Sequence, residues 1–98
     1  MNIRKVTLNK GPLDGTFSMA SHATAVVQGE IYVQDGEADP DHFVHALTLM
    51  RNLPLAEAMR EKEAMKQFMA NPAKSPVPDI PDWRLNMWAA LFQYGAIE

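Results

Sequence analysis

Residues Thr24–Gln34 read TAVVQGEIYVQ. The β-branched cluster Thr24, Val26 and Val27 favours an extended backbone, because two heavy atoms on Cβ restrict χ1 and pack well on a pleated surface. Glu30–Gln34 (EIYVQ) has the composition of a second strand, and Gln28-Gly29 between them suits a tight turn, so the stretch predicts a β-hairpin. Residues 16–28 fit two periods. With period two, Phe17, Met19, Ala23, Ala25 and Val27 share a face opposite Thr16, Ser18, His22 and Thr24. With helical period, Met19, Ala20, Ala23, Val26 and Val27 align, Ser18 serves as N-cap and Gly29 follows the C-terminus. The β-branched residues and the adjoining EIYVQ segment favour the strand. Asp35-Gly36 ends it.

Upstream, Ile3–Leu8 reads as a short strand with Val6 and Leu8 on one face, and residues 10–15 carry two glycines and a proline, which is turn chemistry. Downstream, Asp39-Pro40-Asp41 has the form of a helix start: a capping aspartate, proline at the first helical position, and an acid near the positive end of the dipole. Phe43, Val44, Leu47, Met50 and Leu53 follow at helical spacing, and Pro54 breaks the run. A second helix is expected over 55–70. Leu55, Ala58, Met59, Met65, Phe68 and Met69 form its apolar stripe, and Glu57, Arg60, Glu61, Glu63 and Gln67 cover the other side. Residues 71–82 (NPAKSPVPDIPD) hold four of the seven prolines and predict a semi-rigid, extended connector. Asp79 or Asp82 then caps a last helix over 83–95, which Gly95 ends.

The fold class is therefore α+β. A small N-terminal antiparallel hairpin or sheet (1–36) precedes two amphipathic helices (39–70), a proline-rich connector (71–82) and an aromatic C-terminal helix (83–95), all in one domain spanning 1–98.

Ninety-eight residues, 47% of them hydrophobic, suit a single small core. A formal charge of −3 argues against a surface built to neutralise phosphates, so no direct nucleic-acid partner is expected. The absence of cysteine excludes disulfides and thiolate metal sites. No apolar run approaches the roughly 20 residues that span a bilayer, and the charged N-terminal stretch lacks an apolar core segment, so a soluble cytoplasmic protein with no membrane partner is expected.

Motifs that carry chemistry are weak. His42 and His45 stand at i, i+3 of the expected helix, a spacing that can present two imidazoles to one metal, but a site needs a third ligand; solvated imidazoles fit the same spacing. Acids alternate from Asp35 to Asp41 as in a calcium loop, yet the sixth and twelfth positions are Pro40 and Ala46 where that loop needs glycine and glutamate. Ser18, Ser21 and His22 lie close together without a nucleophile-elbow signature, and the glycines are scattered singly, so no phosphate loop is present. No catalytic residue, metal site or cofactor is assigned, and the chain is expected not to be an enzyme.

The strongest binding signal is the terminal segment WRLNMWAALFQY (83–94) behind its prolines. Leu85, Trp88 and Phe92 share one helix face, and Met87, Leu91 and Tyr94 an adjacent one. Tryptophan, tyrosine, methionine and arginine are enriched at interface hot spots, and proline runs can dock as extended segments. The candidate partner-binding residues are Pro76, Pro78, Pro81, Trp83, Arg84, Met87, Trp88, Phe92 and Tyr94. Part of this helix must also pack against the two amphipathic helices before it. Met50, Met59, Met65 and Met69 form a second candidate surface, although a methionine stripe of this kind is more often plain core. The expectation is a small non-enzymatic factor that binds and modulates a larger host enzyme or complex, inhibiting or redirecting it, of the accessory kind that phages and mobile elements encode. The alternative is a structural or assembly protein, of virion or tail-assembly type, in which the aromatic helix packs in a homo-oligomer. A weaker alternative is a metal-dependent enzyme using His42 and His45.

Overall fold

The computed structural model describes residues 3–36 and 39–98. Five strands come first in the chain: β1 (Arg4–Asn9), β2 (Phe17–Ala20), β3 (Thr24–Val27), β4 (Glu30–Gln34) and β5 (His42–His45). Three helices follow: α1 (Ala46–Arg51), α2 (Leu55–Ala70) and α3 (Asp82–Gln93). The strands form one mixed sheet in the order β2-β1-β5-β4-β3, parallel between β1 and β5 and antiparallel elsewhere.

The β3–β4 hairpin forms as its residues predict, with Val27 opposite Glu30. Gln28 and Gly29 both have positive φ, 52° and 78°, the pattern of a two-residue turn whose twist matches the flanking strands. The residues that fit both periods, 16–28, are extended, but as two strands separated by a bend at 21–23. β2 pairs with β1 and β3 with β4, so the two halves lie at opposite edges of the sheet. Phe17 and Met19 consequently face outward and Ala20 inward, which corrects the continuous face expected from Phe17 to Val27.

The sheet curls until its edge strands β2 and β3 approach each other. Its concave side encloses one core of Val6, Leu8, Ala20, Ala25, Tyr32 and Phe43. Tyr32 is fully buried, and its hydroxyl donates to Lys10 O (2.6 Å) and accepts from Leu13 N (3.0 Å), which pins the turn after β1. The convex side of β4 and β5 carries Ile31, Val33 and Val44 into a second core beneath α1 and α3.

The helix expected from Asp39 begins only at Ala46. Residues 42–45 are the strand β5, inserted between β1 and β4. Phe43 and Val44 are consecutive, and both are buried, one in each core. A central strand can bury neighbours on opposite faces, whereas a helix buries residues three or four apart. The β-rich part therefore reaches residue 45. The Asp39 carboxylate does cap an N–H, that of Asp41 at 3.0 Å, but in a local turn rather than at a helix start.

α3 is the hub of the second core. Met87, Trp88, Ala90 and Leu91 are all buried, with β3 and β4 on one side and α1 and α2 on others. Its end is a full Schellman closure: Gly95 N bonds Phe92 O, Ala96 N bonds Leu91 O, and Gly95 has φ 73°. Residues 71–81 form no helix or strand. They fold back along α2, where Ser75 Oγ donates to Gln67 O at 3.2 Å and Ile80 joins the helical core. Among the described residues no helix is long and apolar enough to cross a membrane.

Candidate functional site

α2 decides what surface is available. The line of α2 that faces the core is Ala58, Glu61, Met65 and Phe68, of which Glu61 and Met65 are buried. The apolar stripe expected from the sequence therefore splits. Leu55, Met59 and Met69 lie outside it, and Leu55 and Met59 are 75% and 63% exposed. Glu61, expected on the solvent side, is only 3% exposed.

A buried carboxylate needs a countercharge and hydrogen bonds. Glu61 has both. Its Oε2 is ion-paired with the Arg84 guanidinium, and its Oε1 accepts from Trp88 Nε1 at 3.0 Å. Arg84 also pairs with Glu57, one helical turn before Glu61. These four side chains fasten α2 to α3. The Arg84 Nε is buried without a hydrogen-bond partner.

Beside this seam lies an open groove of about 400 Å³. Met50 and Leu53 wall it at the end of α1; Leu55, Ala58 and Met59 wall it from α2; Trp88 lies at its floor. Arg51 and Lys62 supply its charge. A smaller groove of about 250 Å³ lies between α2 and the connector, lined by Arg60, Ala64, Pro78 and Ile80 among others.

The partner-binding residues expected from the sequence distribute differently. Met87 and Trp88 are fully buried and belong to the core, a correction: neither can touch a partner in this conformation. Arg84 is committed to Glu57 and Glu61. Trp83 and Phe92 are half-buried, Phe92 against the helical core. Tyr94 is 55% exposed; Pro76 and Pro81 are exposed and Pro78 half-buried. The exposed members of the set do not converge on one pocket. The larger groove was legible only as the methionine surface, through Met50 and Met59. The further signal is the spacing of Leu55, Met59, Lys62, Lys66 and Met69 along one line of α2.

Comparison with protein-family models, curated proteins and solved structures gives no match. Function is therefore argued from these sites alone.

The histidine pair does not make a metal site. His42 and His45 stand three apart on a strand, which sends them to opposite faces of the sheet. His45 is buried beside Tyr32, its Nδ1 at 2.8 Å from Thr48 Oγ1 and its Nε2 at 3.5 Å from Glu30 Oε2. His42 lies 3.9 Å from Asp35. Among the described residues no three His, Asp or Glu side chains cluster as ligands. Ser18 Oγ meets Met19 O at 3.5 Å rather than an imidazole.

Proposed function

We propose that this chain is a small non-enzymatic interaction factor of the cytoplasm that binds and modulates a larger host enzyme or complex, inhibiting or redirecting it, in the manner of phage and mobile-element accessory proteins. Its partner surface is the groove between α1 and α2 rather than the buried face of α3. The carrying observation is the exposure of Leu55 and Met59 beside that groove. Fully burying such a side chain contributes about 1.5–3 kcal/mol, and α2 already has a core-facing line without them. Contiguous apolar side chains left at the rim of a groove mark interaction sites. A non-enzymatic role is supported by the commitment of the Glu61 carboxylate to Arg84 and Trp88 and of the His45 ring to Thr48 and Glu30.

Affinity capture from the native host tests this, with wild type, Met59→Glu and Tyr94→Ala as baits. A partner retained by Tyr94→Ala and lost by Met59→Glu is the expected result. A partner kept in full by well-folded Met59→Glu removes the groove from the account.

A second reading, self-assembly, is favoured by a different surface. Ile3, just before β1, and Phe17 and Met19 on β2 are exposed, with the Lys5 ammonium 4.2 Å above the Phe17 ring. The mass in solution separates the two, since a monodisperse monomer counts against assembly.

A further inference from the structure

We propose that the groove takes an acidic amphipathic segment of a partner protein, with an apolar side chain seated between Leu55 and Met59 and with carboxylates on Arg51, Lys62 and Lys66. This rests on the reading of the groove as the partner surface.

The charge distribution selects the occupant. The chain carries 12 acids against 9 lysines and arginines, so a basic surface on it is local. The outward line of α2 is Leu55, Met59, Lys62, Lys66 and Met69, at alternating spacings of four and three, and holds no acid. The acids of α2 are placed elsewhere. Glu57 and Glu61 turn to Arg84 at the α3 seam, and Glu63 accepts from Gln67 Nε2 at 3.2 Å. Among the described residues none of Arg51, Lys62 and Lys66 is ion-paired. Three unpaired cations beside exposed leucine and methionine attract a segment that brings carboxylates next to its apolar anchors, and repel a basic one.

The spacing suits a helix. Residues 55, 59, 62 and 66 form a ridge one turn per step, and a partner helix laid along it meets apolar anchors first and lysines next. Met50 and Met59 can repack around different anchors, which favours a class of sequences over a single shape.

The test is a titration of isotope-labelled protein with two synthetic helical peptides, read by amide and indole N–H resonances. Both carry leucine and phenylalanine at i and i+4; one flanks them with glutamates, the other with lysines. The expected result is that the glutamate peptide shifts the amides of 53–62 and the Trp88 indole N–H. Its affinity should fall about tenfold or more in Arg51→Glu/Lys62→Glu and fall with added salt. If that double variant fails to fold, Lys66→Glu and the salt series on wild type carry the same test. Equal binding of the lysine peptide in the groove overturns the acidic occupant and leaves the groove reading standing. Groove shifts from neither peptide overturn both. Two further outcomes overturn the proposal: groove resonances that move with protein concentration alone, which makes the occupant a second copy, and decanoate acting as strongly as the glutamate peptide, which makes it a lipid.

Discussion

Replacing Arg84 by methionine keeps most of the side-chain volume and removes the countercharge of Glu61. The Glu61 side chain is 3% exposed, so water cannot take over from the guanidinium. Trp88 Nε1 still donates one hydrogen bond to it, which offsets only part of the desolvation of an ion. Glu57 loses the same partner, but its side chain is about one-third exposed and can solvate. Breaking a buried ion pair by removing one member costs about 3–5 kcal/mol. A domain of this size is stable by about 5–15 kcal/mol, so Arg84→Met removes a large fraction of the margin. In urea, with a slope of about 1.5 kcal/mol/M, the midpoint falls by about 2–3 M. Tryptophan fluorescence follows the transition, since Trp88 sits in the seam. Glu61→Gln/Arg84→Met should be more stable than Arg84→Met alone, because the amide still accepts from Trp88 and no charge remains buried. That inversion separates an unpaired charge from the lost packing of the arginine stem. A loss under about 1 kcal/mol in the single variant, as for an exposed pair, or a double variant no more stable than Arg84→Met, refutes the reasoning.

Gly11 has φ +64°, and a Cβ there would lie 2.4 Å from the His45 ring, so Gly11→Ala should destabilise by about 2–5 kcal/mol, from backbone strain and overpacking together, measured by chemical denaturation. Gln28→Asn at the hairpin turn should raise stability by a few tenths to about 1 kcal/mol, because asparagine tolerates the φ of 52° better; no rise in melting temperature contradicts the turn geometry. Met59→Glu should leave the melting temperature within a few degrees of wild type, since a surface substitution changes stability by about 0.5 kcal/mol or less; a large drop means that Met59 is core.

The hairpin, the break at Pro54 and the stop at Gly95 were legible because each rests on local backbone chemistry. Strand β5 was not. Phe43, Val44 and Leu47 also fit a helical period, and Asp39-Pro40 carries the composition of a helix start. The deciding interactions are the pairings with β1, some 35 residues earlier in the chain, and with β4. The same holds for the site. Glu61 reads as a solvent-side charge on a helical wheel, and only the arrival of Arg84 and Trp88 from α3 makes its burial tolerable. With Glu61 turned inward, α2 rotates Leu55 and Met59 outward. The aromatic helix looked like the binding surface because it is apolar nearly all round, yet that composition reflects its position between a sheet and two helices.

A photo-crosslinking residue placed at position 59, at 94 and at 19 in separate variants, expressed in the native host, tests the central claim directly. Position 59 samples the groove, 94 the end of the aromatic helix and 19 the open sheet face. The account predicts a discrete heterologous protein adduct from position 59 and none of comparable yield from 94 or 19. A discrete adduct from 94 alone contradicts it by returning the partner surface to the C-terminal helix, and an adduct of the chain with itself from 19 contradicts it in favour of assembly.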